Sequence, residues 1–285
     1  MNKQKKVMAI HDISCVGRCS LTVALPILSA GGFDCGVLPT AVLSTHTGGF
    51  TGFTYRDLTE DINPIATHWK SLGLKFDALY SGFLGSFDQI ELVAEIFDNF
   101  KDEGAVVLVD PVMADNGKLY SIYSPEMARG MAGLCSHADI IAPNLTEAAF
   151  LLGEEYKGDS YDKNYVEGLL KRLTSLGSRK IVLTGVSFEP TLLGAASYDA
   201  DEDKIDYYFN EKVDGYFHGT GDVFSSSLLA ALMRGFSLGK SIEVAVEYTL
   251  RCIKHTDELN LERRYGVSFE LALPYLIDLL GLSQA

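Results

Sequence analysis

The sequence predicts an α/β fold in which helices cover both faces of a central, mostly parallel sheet that carries an antiparallel hairpin at its edge. Three observations support this fold class. Short apolar runs alternate along the chain with longer segments of helical period, which is typical of layered α/β proteins. With 285 residues, of which 47% are hydrophobic, the chain is long enough to bury a large core. Residues 191–209 alternate around a charged turn, as an antiparallel hairpin does.

The individual elements follow from these patterns in chain order. Short, continuously apolar runs predict buried strands over residues 7–10, 35–38, 78–81, 106–110, 140–142 and 181–184. Apolar residues at helical spacing between these runs predict helices over residues 21–29, 57–72, 89–101, 126–135, 146–152 and 165–176. The predicted hairpin turns at residues 199–204, a helix follows at about 223–234, and the remaining chain is mostly helical. Because no repeat, low-complexity tract or linker is visible, we predict a single domain over residues 1–285.

Charge and cysteine content exclude several classes of protein. A formal net charge of −14 argues against nucleic acid and anionic membranes as partners, because both require a basic surface. The apolar run near the N-terminus is too short for a signal-peptide core or a membrane span, which predicts a cytoplasmic protein. The five cysteines are scattered, without the paired spacing of zinc sites, and are predicted to be free thiols.

Residues 218–227, read as HGTGDVFSSS, combine a carboxylate with glycines at the start of a predicted helix. Gly219 and Gly221 allow a phosphate to approach the backbone closely, and the free N–H groups of a helix N-terminus attract an anion. Asp222 would then lie where a substrate hydroxyl loses its proton. The alternative is an ordinary turn in which Thr220 or Asp222 caps the helix.

Polar, glycine-rich loops follow all six predicted strands, at the edge of the sheet where α/β proteins bind ligands. Two of these loops carry acidic residues: Asp110 ends the run VVLVD, and Asn144 and Glu147 follow IIAP. Because one or two carboxylates suffice for Mg²⁺ when water and phosphates complete its octahedron, Asp110 and Glu147 are candidate ligands. The alternative is that Asn144 caps the next helix and Glu147 is its capping-box carboxylate.

These segments resemble the ribokinase-like kinases, and among them the vitamin B6 kinases, pyridoxal or pyridoxamine kinase. The similarity runs nearly end to end, in matching order, through AIHDISCVG, LSTHTG, LYSGFLGS, VDPVM, IIAPNLTE, IVLTG and HGTGD. The resemblance implies a ribokinase-like three-layer α/β/α fold and an ATP-dependent enzyme that phosphorylates the 5-hydroxymethyl group of pyridoxal, pyridoxine or pyridoxamine, in the salvage of pyridoxal 5′-phosphate. It also implies Mg²⁺, a dependence on K⁺, and a homodimer.

The resemblance further implies roles for residues by position. Asp222 matches the catalytic base, and Gly219, Thr220 and Gly221 match the anion hole around the transferred phosphoryl group. The positions matching the nucleotide site, its metal and its lid are Asp110, Asn144, Glu147, Thr184, Gly185, Asn210 and Val213, together with Gly219 and Gly221. The positions matching the substrate site are Asp12, Ser14, His46, Thr47, Gly48 and Phe83, together with Asp222.

Some residues depart from the vitamin B6 kinase pattern. A gapless alignment on Gly17 places Asp12 where many vitamin B6 kinases have serine, and an aspartate there is similar to the hydroxymethylpyrimidine kinases of thiamin synthesis. Those enzymes, however, commonly have cysteine where this chain has Asp222. Phe83 stands where an aromatic hydroxyl is expected, and Gly185 stands where some relatives have lysine. These differences bear on which acceptor is phosphorylated.

Three functions stay open on the sequence. The first is a vitamin B6 kinase. The second is a hydroxymethylpyrimidine kinase or a small sugar kinase on the same fold, in which Gly48 and its neighbour Gly49 would form a sugar-contacting turn. The third is a vitamin-binding carrier or regulator without catalysis, which the presence of both Asp222 and Glu147 argues against. His218, before the glycine-rich turn, either contacts a phosphate or is an ordinary loop histidine.

Overall fold

The structure, a computed structural model, describes residues 4–158 and 160–283. Its strands are β1 (Lys6–Ser14), β2 (Asp34–Leu43), β3 (Tyr55–Asp57), β4 (Phe76–Ser81), β5 (Lys101–Val109), β6 (Ala114–Asp115), β7 (Lys118–Leu119), β8 (Ile140–Ile141), β9 (Lys180–Val186), β10 (Leu192–Asp199) and β11 (Lys204–Glu211). Its helices are α1 (Leu21–Ala30), α2 (Thr59–Ser71), α3 (Phe87–Phe100), α4 (Pro125–Cys135), α5 (Leu145–Leu152), α6 (Lys163–Leu173), α7 (Thr220–Met233), α8 (Leu238–Glu258) and α9 (Leu273–Leu279). Single 3₁₀ turns occur at Thr174–Leu176, Arg263–Tyr265 and Glu270–Ala272.

Nine of the described strands form one mixed sheet in the order β11-β10-β9-β8-β5-β4-β1-β2-β3. The strands from β9 to β2 in this order run parallel to one another. At one edge β10 and β11 form an antiparallel hairpin, and at the other edge β3 pairs antiparallel with β2. The predicted mostly parallel sheet with an antiparallel edge hairpin is confirmed.

Helices cover both faces of the sheet, and each face has its own apolar core. Met8 and Ile10 of β1 belong to the core shared with helices α2 to α6, whereas Val7 and Ala9 belong to the core shared with α1, α7, α8 and α9. This division follows from the two-residue repeat of a strand. Parallel strands buried on both faces have continuous apolar runs, which is why the sequence revealed them. The predicted three-layer arrangement is confirmed.

Several predicted helix boundaries are wrong, and two of these errors change how a strand or a site residue is placed. Helix 57–72 was predicted to include Asp57, but Tyr55–Asp57 pairs with the end of β2 and the helix begins at Thr59. All three residues of β3 are exposed, so no apolar alternation marked them as a strand. Helix 223–234 begins at Thr220, which places Asp222 inside its first turn rather than before it.

The loop after β5 contains a small hairpin that the sequence analysis missed. Strands β6 and β7 pair within it, and Asn116 and Gly117 form its turn with φ angles of 49° and 75°. Two successive positive φ angles are what a tight type I′ hairpin turn requires, and Asn-Gly is the preferred dipeptide there. The Asn116-Gly117 pair was therefore the sequence signal for this hairpin.

The cysteines are free thiols, as predicted. Cys15 is exposed, Cys35 is half-buried, and the other three, Cys19, Cys135 and Cys252, are buried. Burial and the nearby charge of Asp34 raise the pKa of the Cys35 thiol to about 12. Burial also raises the pKa of the three buried thiols, so these four cysteines stay protonated at neutral pH.

Within residues 4–158 and 160–283, no helix has both the length and the apolar character that are needed to cross a bilayer.

Candidate active site

The carboxyl ends of the parallel strands meet the N-terminus of α7, and the predicted site residues gather at this junction. Asp12 and Ser14 lie at the end of β1, Asp110 follows β5, and Asn144 follows β8. Asp222 lies in the first turn of α7. The ligand-binding edge of the sheet therefore lies against the helix that begins with the Gly-Thr-Gly-Asp turn.

The two glycines of this turn differ in their surroundings. Gly219 has a φ of 76°, in the left-handed region, and a Cβ added to it would collide with the carbonyl oxygen of Arg18. A Cβ added to Gly221 would meet no atom within 4 Å. The fold therefore requires glycine at position 219, whereas Gly221 borders open space in front of the helix.

Helix α7 begins without a side-chain cap. Its first hydrogen bond runs from the N–H of Val223 to the carbonyl of Gly219 (3.1 Å), so the N–H groups of residues 220–222 have no acceptor within the helix. The alternative that Thr220 or Asp222 caps the helix is wrong, because Gly219 occupies the N-cap position and no side chain makes a cap hydrogen bond. Free N–H groups at the positive end of a helix dipole suit an anion.

Asp222 is held by a backbone group from another helix. The N–H of Ser20, just before α1, donates a hydrogen bond of 2.8 Å to Oδ2 of Asp222. Burial and the nearby carboxylates of Asp110 and Asp12 raise the pKa of Asp222 to about 7, against the lowering effect of the Ser20 hydrogen bond. A carboxylate whose pKa lies near neutrality is suited to accept a proton at physiological pH.

Asp110 is buried and faces α7. Its N–H donates to the carbonyl of Ser81 at 2.9 Å, and its Oδ2 accepts a hydrogen bond of 2.8 Å from the hydroxyl of Ser225. Burial raises the pKa of Asp110 to about 7, partly offset by the Ser225 hydrogen bond. No sequence motif marked Ser225, although a residue three positions after Asp222 lies on the same helix face.

Asn144 and Glu147 form a complete capping box at the start of α5. Oδ1 of Asn144 accepts from the N–H of Glu147, and Oε2 of Glu147 accepts from the N–H of Asn144, each at 2.9 Å. Oε1 of Glu147 accepts from the N–H of Met113 at 3.1 Å. Burial and the charge of Asp110 raise the pKa of Glu147 well above its usual range. The capping alternative is confirmed, and both oxygens of Glu147 accept backbone hydrogen bonds.

The same helix start anchors the β6-β7 hairpin. Nδ2 of Asn144 donates to the carbonyl of Ala114 at 2.9 Å, and the hydroxyl of Thr146 accepts from the N–H of Gly117 at 3.1 Å. The hairpin is thereby fixed beside the loop that carries Asp110. Asn144 thus helps to position the β6-β7 hairpin.

Asp12 and Ser14, the residues of the first predicted substrate loop, lie together. Asp12 is buried, and its Oδ2 accepts a hydrogen bond of 3.2 Å from the hydroxyl of Ser14. Burial raises the pKa of Asp12, while hydrogen bonds from Ser20 and Ser14 lower it. Phe83, at the end of β4, is half-buried and packs edge-on against the ring of Tyr123, with 6.1 Å between centroids.

His46 is held by the backbone on both sides of its ring. Its Nδ1 accepts from the N–H of Gly48 at 3.2 Å, so its Nε2 is the nitrogen that donates to the carbonyl of Arg264, at 2.6 Å. Burial lowers the pKa of His46, which keeps the ring neutral. The side chain of Thr47, between them, is exposed. His46 therefore orients the loop that presents Thr47.

A short segment that the sequence analysis missed, residues 264–267, ties the loops of this junction together. The N–H of Arg18 donates to the carbonyl of Tyr265 at 2.8 Å, and the N–H of Val267 donates to the carbonyl of His218 at 3.2 Å. The carbonyl of Arg264, in the same segment, accepts the hydrogen bond from Nε2 of His46. It thus contacts the loops after β1 and β2 and the turn before α7. We call it the clamp segment.

His218 is half-buried among aromatic rings. Its ring centroid lies 5.0 Å from that of His46 and 4.8 Å from that of Tyr216. Burial, with a contribution from His46, lowers the pKa of His218. The structure thus gives His218 packing partners, as expected of an ordinary loop histidine.

The predicted nucleotide-binding residues lie on the other side of the junction. Thr184 and Gly185 lie near the end of β9, and Gly185 is exposed with a φ of 71°. The side chain of Asn210 donates to Oε1 of Glu247 on α8 at 2.7 Å, and Val213 packs against the core beneath that helix. The side chain of Asn210 thus points toward α8. Residues 210–213 would therefore contact a nucleotide through their backbone groups.

Four carboxylates crowd the junction without a basic partner: Asp12, Asp110, Glu147 and Asp222. The ion pairs of the described residues involve none of the four. In the part of the chain that the structure describes, His, Cys, Asp and Glu form no group of three that could hold a metal by themselves. A cation that arrives with an anionic ligand would relieve the repulsion between these carboxylates.

Comparison with known proteins decides which class of enzyme has this arrangement. The profile of the phosphomethylpyrimidine kinase family matches residues 38–267. The chain belongs to this family of ribokinase-like kinases. The kinase resembles solved structures over nearly its whole length, so the expected ribokinase-like fold is confirmed.

Three solved structures illustrate the similarity. A putative phosphomethylpyrimidine kinase from Bacteroides thetaiotaomicron, in a crystal form with pyridoxal, is 37% identical with a TM-score of 0.92, and 96% of both chains is covered. Pyridoxal kinase from Lactobacillus plantarum is 28% identical with a TM-score of 0.90, covering 99% of this kinase and 100% of that chain. Pyridoxal kinase from Leishmania donovani in complex with ADP and pyridoxamine is 22% identical with a TM-score of 0.85, covers 96% of each chain, and shows the fold.

Proposed function

We propose that this kinase transfers the γ-phosphoryl group of ATP to the 5-hydroxymethyl group of pyridoxal, pyridoxine or pyridoxamine. The observation that carries the proposal is the position of Asp222, a carboxylate with a pKa of about 7 in the first turn of α7. The N–H groups of residues 220–222, at the start of the same helix, have no acceptor within it, and open space adjoins Gly221. The pyridoxal in the crystal of the Bacteroides relative supports this choice of acceptor.

The reaction follows from these groups. Asp222 takes the proton of the hydroxymethyl group while the oxygen of that group forms a bond to the γ-phosphorus. The bond between the γ-phosphorus and the bridging oxygen breaks, and ADP leaves with the electron pair. The N–H groups of residues 220–222 donate to the oxygens of the phosphoryl group in transfer, and each preorganised donor lowers the barrier by on the order of a few kcal/mol.

Mg²⁺ is proposed to accompany the nucleotide beside Asp110. Oδ1 of Asp110 accepts no hydrogen bond from the described residues, so it is open to a cation. Glu147, whose oxygens both accept backbone hydrogen bonds, would act on the metal through water. When bound, Mg²⁺ neutralises charge on the nucleotide phosphates.

The resemblance to the vitamin B6 kinases also suggests which residues bind the nucleotide and the acceptor. For the nucleotide we propose Asn144, the backbone of Thr184 and Gly185, and the segment that includes Asn210 and Val213. The ADP in the Leishmania structure supports a nucleotide in this fold. For the acceptor we propose the loops that carry Asp12, Ser14, His46, Thr47, Gly48 and Phe83. A dependence on K⁺, a cytoplasmic homodimer and a single domain over residues 1–285 also stay predictions.

Asp222→Asn tests the base. We expect kcat to fall by about 100-fold or more, because a positioned general base contributes about that much, while ADP binding remains. The matched control is Asp98→Asn, which removes a carboxyl group from α3, on the opposite face of the sheet. Turnover near that of the control would rule out Asp222 as the base.

A hydroxymethylpyrimidine kinase is the second candidate, favoured by the family match and by Asp12 in the first substrate loop. Comparing kcat/KM for pyridoxal, pyridoxamine, hydroxymethylpyrimidine and ribose separates the acceptors. We expect the highest value for one of the vitamin B6 compounds. A preference for the pyrimidine or for ribose contradicts the proposal, and binding of pyridoxal without consumption of ATP, in the presence of Mg²⁺ and K⁺, would favour a carrier.

A further inference from the structure

Ser20 has an unusual backbone conformation. Its φ is 57° and its ψ is −130°. The other non-glycine residues of the described chain with positive φ are Asn116, Asp203 and Asn260, with φ between 47° and 50°. Asn and Asp enter the left-handed region readily, whereas serine does not, and the ψ of Ser20 lies outside that region. Such strain persists only where the surroundings fix it, and it clusters at functional sites.

Contacts on both sides hold Ser20 in this conformation. Its carbonyl accepts hydrogen bonds from the N–H groups of Val23 (3.0 Å) and Ala24 (2.9 Å), which begin α1. Ser20 also forms an isolated β-bridge with Ile13, near the end of β1. The residue is buried, with an exposed fraction of 8%. The backbone of Ser20 therefore connects the start of α1 with the strand that carries Asp12.

The conformation of Ser20 points its backbone N–H at the carboxylate of Asp222. Its N–H donates to Oδ2 of Asp222 at 2.8 Å. Its hydroxyl lies close enough to Asp12 to lower the pKa of that carboxyl group. Oδ1 of Asp222 accepts no hydrogen bond from residues 4–158 and 160–283. The two oxygens of the base are therefore different: one is held and the other is open.

We propose that Ser20 is the positioning residue of the catalytic base, whose N–H holds Oδ2 of Asp222 so that Oδ1 meets the substrate hydroxyl. This inference rests on the kinase function proposed above. A hydrogen bond to the ionised carboxylate stabilises the form that accepts a proton, and fixing one oxygen sets the direction of the other. The strain at Ser20 is what aims a backbone donor at a side chain of another helix.

Other titratable groups also act on Asp222. They come from β1, β4, the loop after β5 and the loop before α1, and they are Asp12, Tyr80, Asp110 and Cys19. The charges of Asp12 and Asp110 raise the pKa of Asp222, as does burial, and the hydrogen bond from Ser20 opposes them. Burial also raises the pKa of Tyr80 and of Cys19, so these two groups stay neutral at pH 7.

An ester at position 20 tests the inference, because replacing Ser20 by its α-hydroxy analogue removes the N–H and keeps the side chain. We expect the acid limb of the kcat/KM profile to move upward by about one pH unit, which is about a tenfold loss below that limb. The KM for ATP should not change. The matched control is the same ester at Ser237, the N-cap residue of α8, which should leave the acid limb at its wild-type pH.

An acid limb that stays at its wild-type pH in the Ser20 ester, or that shifts equally in the Ser237 ester, would overturn the inference. A second measurement uses the wild-type chain and does not depend on folding of the ester. The amide proton resonance of Ser20 should titrate with the ionisation of Asp222, and this titration should be absent in Asp222→Asn. A pH-independent resonance in the wild type would also overturn it, whereas an active Asp222→Asn enzyme would instead refute the proposed base.

Discussion

At the scale of single residues, Gly219 and Gly221 of the Gly-Thr-Gly-Asp turn should respond differently to substitution. Gly221→Ala is expected to fold with equal or slightly higher stability, because alanine is favoured over glycine in a helix by about 0.5–1 kcal/mol and the added methyl meets no atom within 4 Å. The same methyl enters the space assigned to the phosphoryl group, so kcat/KM should fall by about tenfold or more. Calorimetry and steady-state kinetics on one preparation measure both effects.

Gly219→Ala is the informative comparison for this prediction. Position 219 has a positive φ, and its Cβ would collide with the carbonyl of Arg18, so this variant should lose stability as well as activity. A Gly221→Ala enzyme with unchanged kcat/KM would show that the phosphoryl group does not pass in front of this helix.

The ionised carboxylate of Asp222 should make the folded protein less stable above about pH 7. Its pKa of about 7 in the folded protein lies above the ordinary value of 3.8, so the folded state binds its proton more tightly than the unfolded state. The stabilisation is complete below about pH 4 and is lost as the pH rises through 7. Asp222→Asn should therefore exceed the wild type in Tm at pH 8, by about 2–4 °C for each kcal/mol, and match it at pH 4. A wild type that is the more stable at pH 8 would contradict this.

At the scale of elements, the clamp segment should control acceptor binding. Gly266 has a φ of 85°, and a Cβ there would collide with the carbonyl of Arg18. Gly266→Ala is therefore expected to cost about 1–3 kcal/mol in stability. Because the clamp segment holds the loops after β1 and β2, the KM for the acceptor should rise more than the KM for ATP. Steady-state kinetics with each substrate varied in turn measure the two values.

The control for this variant is Gly73→Ala. Gly73 follows α2, has a φ of 67°, and has no atom within 4 Å of an added Cβ. It therefore reports the cost of a positive φ without displacing a neighbour. Equal rises in both KM values for Gly266→Ala would contradict a role of the clamp segment in acceptor binding.

The sequence predicted the elements that bury apolar side chains, and it missed those that do not. The parallel strands and their helices followed from apolar runs, because both faces of the sheet are buried. All three residues of strand β3 are exposed, and the β6-β7 hairpin depends on turn chemistry rather than on apolar residues. Asp110, Glu147 and Asp222 were found as candidates because their side chains carry the chemistry. Ser20 and the clamp segment act through backbone N–H and C=O groups, which every residue type supplies, so no motif marked them.

At the scale of the whole molecule, uncompensated carboxylates should set the pH dependence of stability. Asp110 and Asp222, each with a pKa of about 7, should destabilise the folded state as they ionise. Burial lowers the pKa of His11 to about 3, so this histidine makes the folded state more stable as the pH rises toward 6.5. Above pH 6.5 the ring is neutral in both states, and this gain in stability ends. The Tm of the protein without ligands should therefore fall between pH 6.5 and 8. Asp110→Asn should flatten the curve.

Mg²⁺ with ADP should reverse this loss at pH 8. Binding to the folded state alone stabilises it by about 2.7 kcal/mol when the ligand concentration is 100 times Kd, and ADP with EDTA is the control. A Tm that does not depend on pH between 6.5 and 8, or that responds equally to ADP with EDTA, would contradict the placement of these charges.

Because only one of the five cysteines is exposed, a fluorescent label can be placed beside the proposed acceptor site. Cys15, the exposed thiol, directly follows Ser14. Its N–H donates to the carbonyl of Leu43 at 2.8 Å, so Cys15 lies between the two loops that we propose for the acceptor. The other thiols are buried or have raised pKa values, so a maleimide dye should react at this position first. A dye attached to Cys15 of the wild-type sequence would therefore report binding by fluorescence, so that vitamin B6 compounds and pyrimidines can be ranked by affinity without turnover.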